Sequence, residues 1–195
     1  MLTLICAFLV AGSPIIAQQQ PKMGEFSADV ARTVSGKTTQ SELYVKVDRI
    51  RFDTTEGGKS SATIMRLDTG LTWILMEKNT YMEMKGSSSK DDPTIDTEAE
   101  DTFEIKQIRT EKISGYQCRV MQYTNKKDRS QVLTVWQADK LNYHLKMEMK
   151  SGSKVTMTEL VTNVKEGKIS AALFELPKGC QKIDLFGIPG MSLGG

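Results

Sequence analysis

Histidine is almost missing from this chain: His144 is the only one. A Ser, Cys or Thr nucleophile therefore has one candidate imidazole base, and no Gly-x-Ser-x-Gly elbow accompanies it. A His that begins a strand reads first as a structural residue, and nothing in the sequence pairs it with Cys118 as a dyad. Zinc-type ligand spacing and a Gly-rich phosphate loop are also absent. The acidic residues that paired acid–base chemistry would need gather in one stretch, residues 91–104, which reads as a solvated loop. Within it Asp91, Asp92, Asp96 and Glu98 make at most a loose calcium site, since their spacing fits no EF-hand loop. The net charge is only +2, with acids and bases interspersed, so there is no basic stripe for nucleic acid or anionic headgroups. The expectation is a noncatalytic protein without cofactor, metal or nucleic-acid partner.

Long apolar runs are scarce too. The one clear case is Leu2 to Ala11, too short to span a bilayer, which takes roughly 20 apolar residues. Met1 to Ala17 carries no charged side chain, breaks at Gly12-Ser13-Pro14 and gives way to Gln18-Gln19-Gln20. That layout predicts a secretory signal peptide over residues 1–17, although no Lys or Arg precedes its apolar core. Ile5 before Cys6, where a small residue is wanted, argues against lipidation. The expected organisation is a linker at 18–24, one domain at 25–183 and a Gly-rich, aperiodic tail at 184–195. The destination is the periplasm or the exterior. After Ala17 two cysteines remain, Cys118 and Cys180, which an oxidising compartment would join or leave as two buried thiols. Their Cα separation decides between these.

What the sequence has is period-two alternation. Ten runs read as strands: residues 25–34, 41–53, 61–67, 71–76, 81–84, 103–113, 115–124, 131–138, 144–150 and 154–164. Gly, Asn, Asp and Ser turns separate them and no βαβ rhythm appears, so the fold class is all-β, a meandering antiparallel sheet. Most runs have one polar face, whereas residues 131–138 are apolar on both. Two short helices are expected, one from Asp92-Pro93 with Ile95, Ala99 and Phe103 in a stripe, the other at Ala171 to Phe174. Two such helices cannot hide ten strands. Either the sheet curls around its own side chains or part of its apolar face stays open.

Methionine marks that face. Met82 and Met84 share one side of their strand, and Met147 and Met149 one side of theirs. Thioethers suit Cu(I), and Met-x-Met pairs in an exported chain make a copper carrier one reading. Strict alternation, however, puts His144 opposite Met147 and Met149, so those three converge only if a bulge intervenes. The other reading is a flexible apolar face that accepts variable chains.

Ala62-Thr-Ile-Met-Arg-Leu-Asp68, Thr72-Trp-Ile-Leu-Met76, Thr80-Tyr-Met-Glu-Met84, Gly115-Tyr-Gln-Cys118, Lys146-Met-Glu-Met149 and Leu173-Phe-Glu-Leu-Pro177 follow one another in this order. Together they resemble the DUF4412-type exported bacterial proteins, a group similar to the periplasmic lipoprotein carriers and receptors of the LolA/LolB kind. The resemblance spans roughly residues 25–183. It implies a single, strongly curved antiparallel sheet forming a half-open barrel, with short helices in an apolar concavity that holds acyl chains or a lipid anchor. The expected function is binding of a lipid, an acyl chain or an acylated protein, with an outer-membrane or envelope partner. The alternatives are copper binding and a module that buries a protein partner. Met65, Trp73, Leu75, Met82, Met84, Met147, Met149 and Met157 are the expected lining, subject to a one-residue register shift.

Overall fold

The computed structural model describes residues 22–85 and 101–183. Twelve strands account for most of them: β1 (Met23–Val34), β2 (Lys37–Val47), β3 (Arg49–Glu56), β4 (Lys59–Arg66), β5 (Leu71–Met76), β6 (Thr80–Lys85), β7 (Phe103–Ile113), β8 (Tyr116–Asn125), β9 (Gln131–Ala138), β10 (Tyr143–Ser151), β11 (Lys154–Glu166) and β12 (Gln181–Lys182). They form one open sheet in the order β12-β6-β5-β4-β3-β2-β1-β11-β10-β9-β8-β7. The all-β expectation holds. Two antiparallel meanders, β1–β6 and β7–β11, meet where β1 pairs with β11, and short turns make every other antiparallel pairing local. The sheet is curled. Ser114, in the β7–β8 turn, donates its hydroxyl to the Val161 carbonyl of β11 at 2.7 Å, across three strand positions. Tyr116 and Lys140 both reach Glu166 at the end of β11, at 2.8 and 2.6 Å.

The run expected as one strand over residues 41–53 is two. Lys46 pairs with Arg49, so Val47 and Asp48 make a two-residue hairpin turn, with Val47 at φ +58°. A β-branched residue is strained in the left-handed region, and no Gly, Asn or Pro marks the turn, although the apolar phase shifts across it from Val45 and Val47 to Ile50 and Phe52. The turn expected at Ser35-Gly36 is present, with both residues at positive φ.

Of the two expected helices, Ala171–Phe174 forms as one turn of 3₁₀ helix. The other falls mainly on residues outside the described ones, of which only Asp101 and Thr102 are seen as helical, leading directly into β7. The signal peptide at 1–17, most of the linker at 18–24, the acidic group Asp91, Asp92, Asp96 and Glu98, and the tail at 184–195 also lie outside them.

The disulfide is a correction. Cys118 and Cys180 are both free thiols. Cys118 is buried in β8, while Cys180 precedes β12, ten strand positions away at the far edge of the sheet. A disulfide needs Cα atoms within about 7 Å, little more than one inter-strand spacing.

Two apolar clusters hold the sheet. The larger joins Phe26, Ala28, Val30, Leu43, Val45, Ile50 and Val161 with Leu141, Tyr143 and Leu145 around the β9–β10 turn, and with Cys118, Val120, Trp136 and Ala138. Gly24 donates its backbone N–H to the Leu141 carbonyl at 2.8 Å, tying that turn to the start of β1. β9 is buried on both sides, Val135 on one and Trp136 on the other, as its doubly apolar sequence predicts. The smaller cluster is Ala62, Ile64, Trp73 and Leu75 under Phe174 of the 3₁₀ turn.

Candidate functional site: a methionine-rich face with a buried ionic centre

Residues directly opposite on neighbouring strands share a face, so the register traces each face across the sheet. One row runs Met84, Thr72, Met65, Ile50, Val45, Phe26. The next runs Met82, Ile74, Thr63, Phe52, Leu43, Ala28. Beyond β1 the same face continues through Arg32, Glu159, Met147, Val135 and Met121, and through Val34, Met157, Met149, Leu133, Tyr123 and Ile105. Six of the eight expected lining residues, Met65, Met82, Met84, Met147, Met149 and Met157, therefore stand on one face. Trp73 and Leu75 do not. They pair with Ile64 and Ala62 on the other side of β5 and lie under the C-terminal segment. Alternation could sort residues within each strand, but which side of one strand matched which side of the next depended on register.

The shared face is buried at its centre and half-open at its flanks. Phe26, Val30, Leu43, Val45 and Val161 are enclosed, and Met147 nearly so. Met65, Met82, Met149, Met157, Leu133 and Ile105 are half-buried, and Met84 is 37% exposed. This half-covered flank is apolar and adaptable, because an unbranched thioether side chain repacks at little cost. A hollow of about 850 Å³ lies in a different place. Its walls include Asp29, Glu42, Arg51 and Asp53, so it is polar and is not the acyl cavity that the resemblance implied.

The opposite face is covered in part, over β2–β6, by the chain itself. Lys46 donates to the Ile169 carbonyl at 2.8 Å and Arg51 to the Leu173 carbonyl at 2.7 Å. Arg49 and Arg66 both reach Glu175, and Lys182 reaches Glu83. Phe174 is fully buried beneath these latches, and β12 then adds to β6 in parallel. Ala171–Phe174, expected as one of two short helices over the sheet, does lie on it; the latches that hold the segment were not legible.

At the centre of the methionine face sits an ionic group that sequence reasoning missed. Glu159 is fully buried. Its Oε2 accepts from Arg32 Nε at 2.7 Å, and its Oε1 is 2.9 Å from His144 Nε2. Burial pushes the Glu159 carboxyl up, but the hydrogen bond and charge of His144 and the charge of Arg32 outweigh it and hold it below the usual carboxylate range. Arg32 also lies over the Phe52 ring, 5.8 Å from its centroid. A signal existed. Arg32 follows Phe26, Ala28 and Val30 at even spacing, and Glu159 stands between Met157 and Val161. Each is a charge flanked by apolar residues on its strand face, and the two are of opposite sign.

His144 is where alternation failed. β10 carries one extra residue between His144 and Lys146, which pair with the consecutive residues Gln137 and Trp136. The bulge turns His144 onto the face of Gln137 and Val135, and hence of Met147. The expectation that His144 stands opposite Met147 and Met149 is thereby corrected. His144 is 6% exposed, stacks on Tyr143 with ring centroids 4.4 Å apart, and has no hydrogen-bond partner at Nδ1. Cys118 pairs instead with Ala138, on the Tyr143 side, and gives its S–H to the Tyr116 carbonyl. Burial raises its thiol pKa, so it is poorly suited to act as a nucleophile. No group of three or more His, Cys, Asp and Glu residues fit to hold a metal occurs among the described residues. Met82 and Met84 on β6 lie seven strand positions from Met147 and Met149 on β10, so the two Met-x-Met pairs do not form one site.

The fold is similar to that of an uncharacterized conserved protein from Thermus thermophilus, with a TM-score of 0.57 at 10% identity over 83% of this chain and 90% of that one. It is also similar to a chain in the MucA/MucB complex of Pseudomonas aeruginosa, with a TM-score of 0.58 at 12% identity, covering 82% of this chain and 58% of that one. The protein thus spans little over half the length of that neighbour. A LolA superfamily protein from Nitrosomonas europaea aligns over 78% of this chain and 90% of its own at 11% identity, but its TM-score of 0.39 carries no weight. These likenesses concern the fold. No curated protein matches the sequence. Residues 27–152 match the family described as a domain of unknown function, DUF4412, and the chain belongs to that family.

Proposed function

We propose that the protein binds a hydrophobic ligand in the cell envelope, a lipid, an acyl chain or an acylated protein, on its methionine-rich face, without catalysing a reaction. The observation that carries this reading is that Met65, Met82, Met84, Met147, Met149 and Met157 all stand on one face, half-open at its flanks, while the C-terminal segment covers part of the opposite face. The fold shared with a chain of the MucA/MucB complex supports a binding role rather than a particular ligand. Export, expected from residues 1–17, belongs to the same proposal. Each methylene laid against this face would contribute about 0.8 kcal/mol, so eight of them supply about 6 kcal/mol before ordering costs.

The test is native mass spectrometry of the chain purified from an envelope fraction, followed by organic extraction. Lipid should co-purify, should be lost with Met82→Lys, and should persist with Met82→Leu. A bare mass together with no uptake of a fluorescent fatty acid would refute acyl binding and leave a protein partner as the occupant of the face.

A further inference from the structure

We propose that His144, with Met147 and the neighbouring Met149 and Met157, forms a binding site for a soft monovalent metal ion of the Cu(I) type. It draws on Met147, Met149 and Met157 of the same face but does not require that a lipid bind there. The argument starts at the imidazole. Nε2 lies 2.9 Å from the Glu159 carboxylate, which only accepts, so whenever the ring is neutral its proton sits on Nε2 and Nδ1 holds a lone pair. That nitrogen is buried and has no partner, a state that costs about as much as a lost hydrogen bond. A ring whose second nitrogen donates to a carboxylate is also the usual arrangement of a metal-ligating histidine, since the carboxylate fixes the tautomer and strengthens the donor.

The thioethers come from register. Met147 is directly opposite Glu159, the residue His144 is bonded to, and the bulge between His144 and Lys146 makes His144 and Met147 neighbours on one face. Met149 is the next residue on that face and pairs with Met157 across the strand. One imidazole and up to three thioethers therefore stand at neighbouring positions of one face without a free carboxylate, because Glu159 is occupied by Arg32 and His144. That donor set is too soft for magnesium or calcium and lacks the thiolates or further imidazoles that zinc prefers. It suits Cu(I). The half-open flank at Met149 and Met157 gives the ion its way in.

The experiment is an anaerobic competition of Cu(I) between a chromophoric chelator and the chain carrying Cys6→Ser, Cys118→Ala and Cys180→Ser, so that thiolates cannot account for binding. One equivalent should be retained, with X-ray absorption showing one nitrogen and at least two sulfur scatterers. His144→Gln should weaken it tenfold or more, as should Met147→Leu with Met149→Leu, while Met82→Leu with Met84→Leu should leave it unchanged. If His144→Gln fails to fold, the volume-conserving Met147/Met149 pair decides. Failure to compete for Cu(I), or equal affinity in the Met147/Met149 variant, would overturn the proposal.

Discussion

Replacing Glu159 with Leu tests the ionic centre most directly. The substitution leaves Arg32 without its counter-charge and the His144 Nε2–H without its acceptor. Removing one partner of a buried ion pair typically costs 3–5 kcal/mol, and an orphaned buried donor about 1–3 kcal/mol. The Arg32 side chain is 35% exposed and can turn partly to water, which places the expected loss near the low end, about 3 kcal/mol. For a domain of this size that is a fall in Tm of roughly 6–12 °C. Arg32→Met combined with Glu159→Leu should cost only about 1 kcal/mol, because an apolar pair of similar volume replaces the charges. Denaturant unfolding of the four proteins in this cycle gives the coupling, expected to exceed about 2 kcal/mol by whatever Arg32→Met costs alone. The pH arm has a definite sign. The folded-state carboxyl lies below its usual range, so its contribution is present above that range and fades as pH falls through the folded value. The gap between wild type and Glu159→Leu should therefore narrow in acid. A Glu159→Leu protein as stable as wild type at neutral pH, or a cycle with no coupling, would refute this account of the centre.

Two further outcomes follow from the backbone and the C-terminal cover. Val47→Gly should stabilise the β2–β3 hairpin by about 1 kcal/mol, since Val47 occupies the left-handed region at φ +58°; an unchanged or lower unfolding midpoint would count against strain there. Phe174→Ala should cost about 3–4 kcal/mol and strip hydrogen-exchange protection from Gln181 and Ile183, which bond to Asn79 and Tyr81; retained protection would mean that the 3₁₀ turn does not anchor the segment.

The sequence made the strands legible because nearly all of them alternate, and it made their polar and apolar sides legible strand by strand. Three things escaped it. The Val47–Asp48 turn has no Gly, Asn or Pro; its marks in the sequence are Asp48 and a shift of apolar phase, from Val45 and Val47 to Ile50 and Phe52, which a reading of one long strand overlooks. The β10 bulge leaves no mark at all: His144-Leu145-Lys146-Met147 alternates in sequence while its register slips in space. The site suffered most from these, because one slipped residue exchanges the faces, which moved His144 to the methionines. Trp73 and Leu75 were misplaced by the converse error. Their strand was read correctly, but strands in a sheet share faces through pairing and not through composition. The cover over Ile64, Trp73 and Leu75 depends on backbone carbonyls held by Lys46 and Arg51, and carbonyl acceptors leave no mark in a sequence.

A buried ion pair on an apolar face is a poor stabiliser compared with an apolar pair of the same volume, which raises the question of what Arg32 and Glu159 achieve. Their position answers it. Every other antiparallel pairing in the sheet joins sequence neighbours, so a turn of fixed length sets its register. β1 and β11 are the exception, with 127 residues separating Arg32 from Glu159. No turn fixes how these two strands align, and alternating apolar residues such as Val30, Val34, Met157 and Val161 would tolerate a slip of two. A slip by two would set Glu159 opposite Val30 or Val34, parting the buried carboxylate from Arg32 and leaving it His144 alone. The pair thus acts as a register key at the seam between the two meanders. The Arg32→Met, Glu159→Leu double variant should then keep most of its stability while losing uniqueness, visible as doubled amide resonances for β1 and β11. A single sharp set of resonances in that variant would show that packing alone sets the seam.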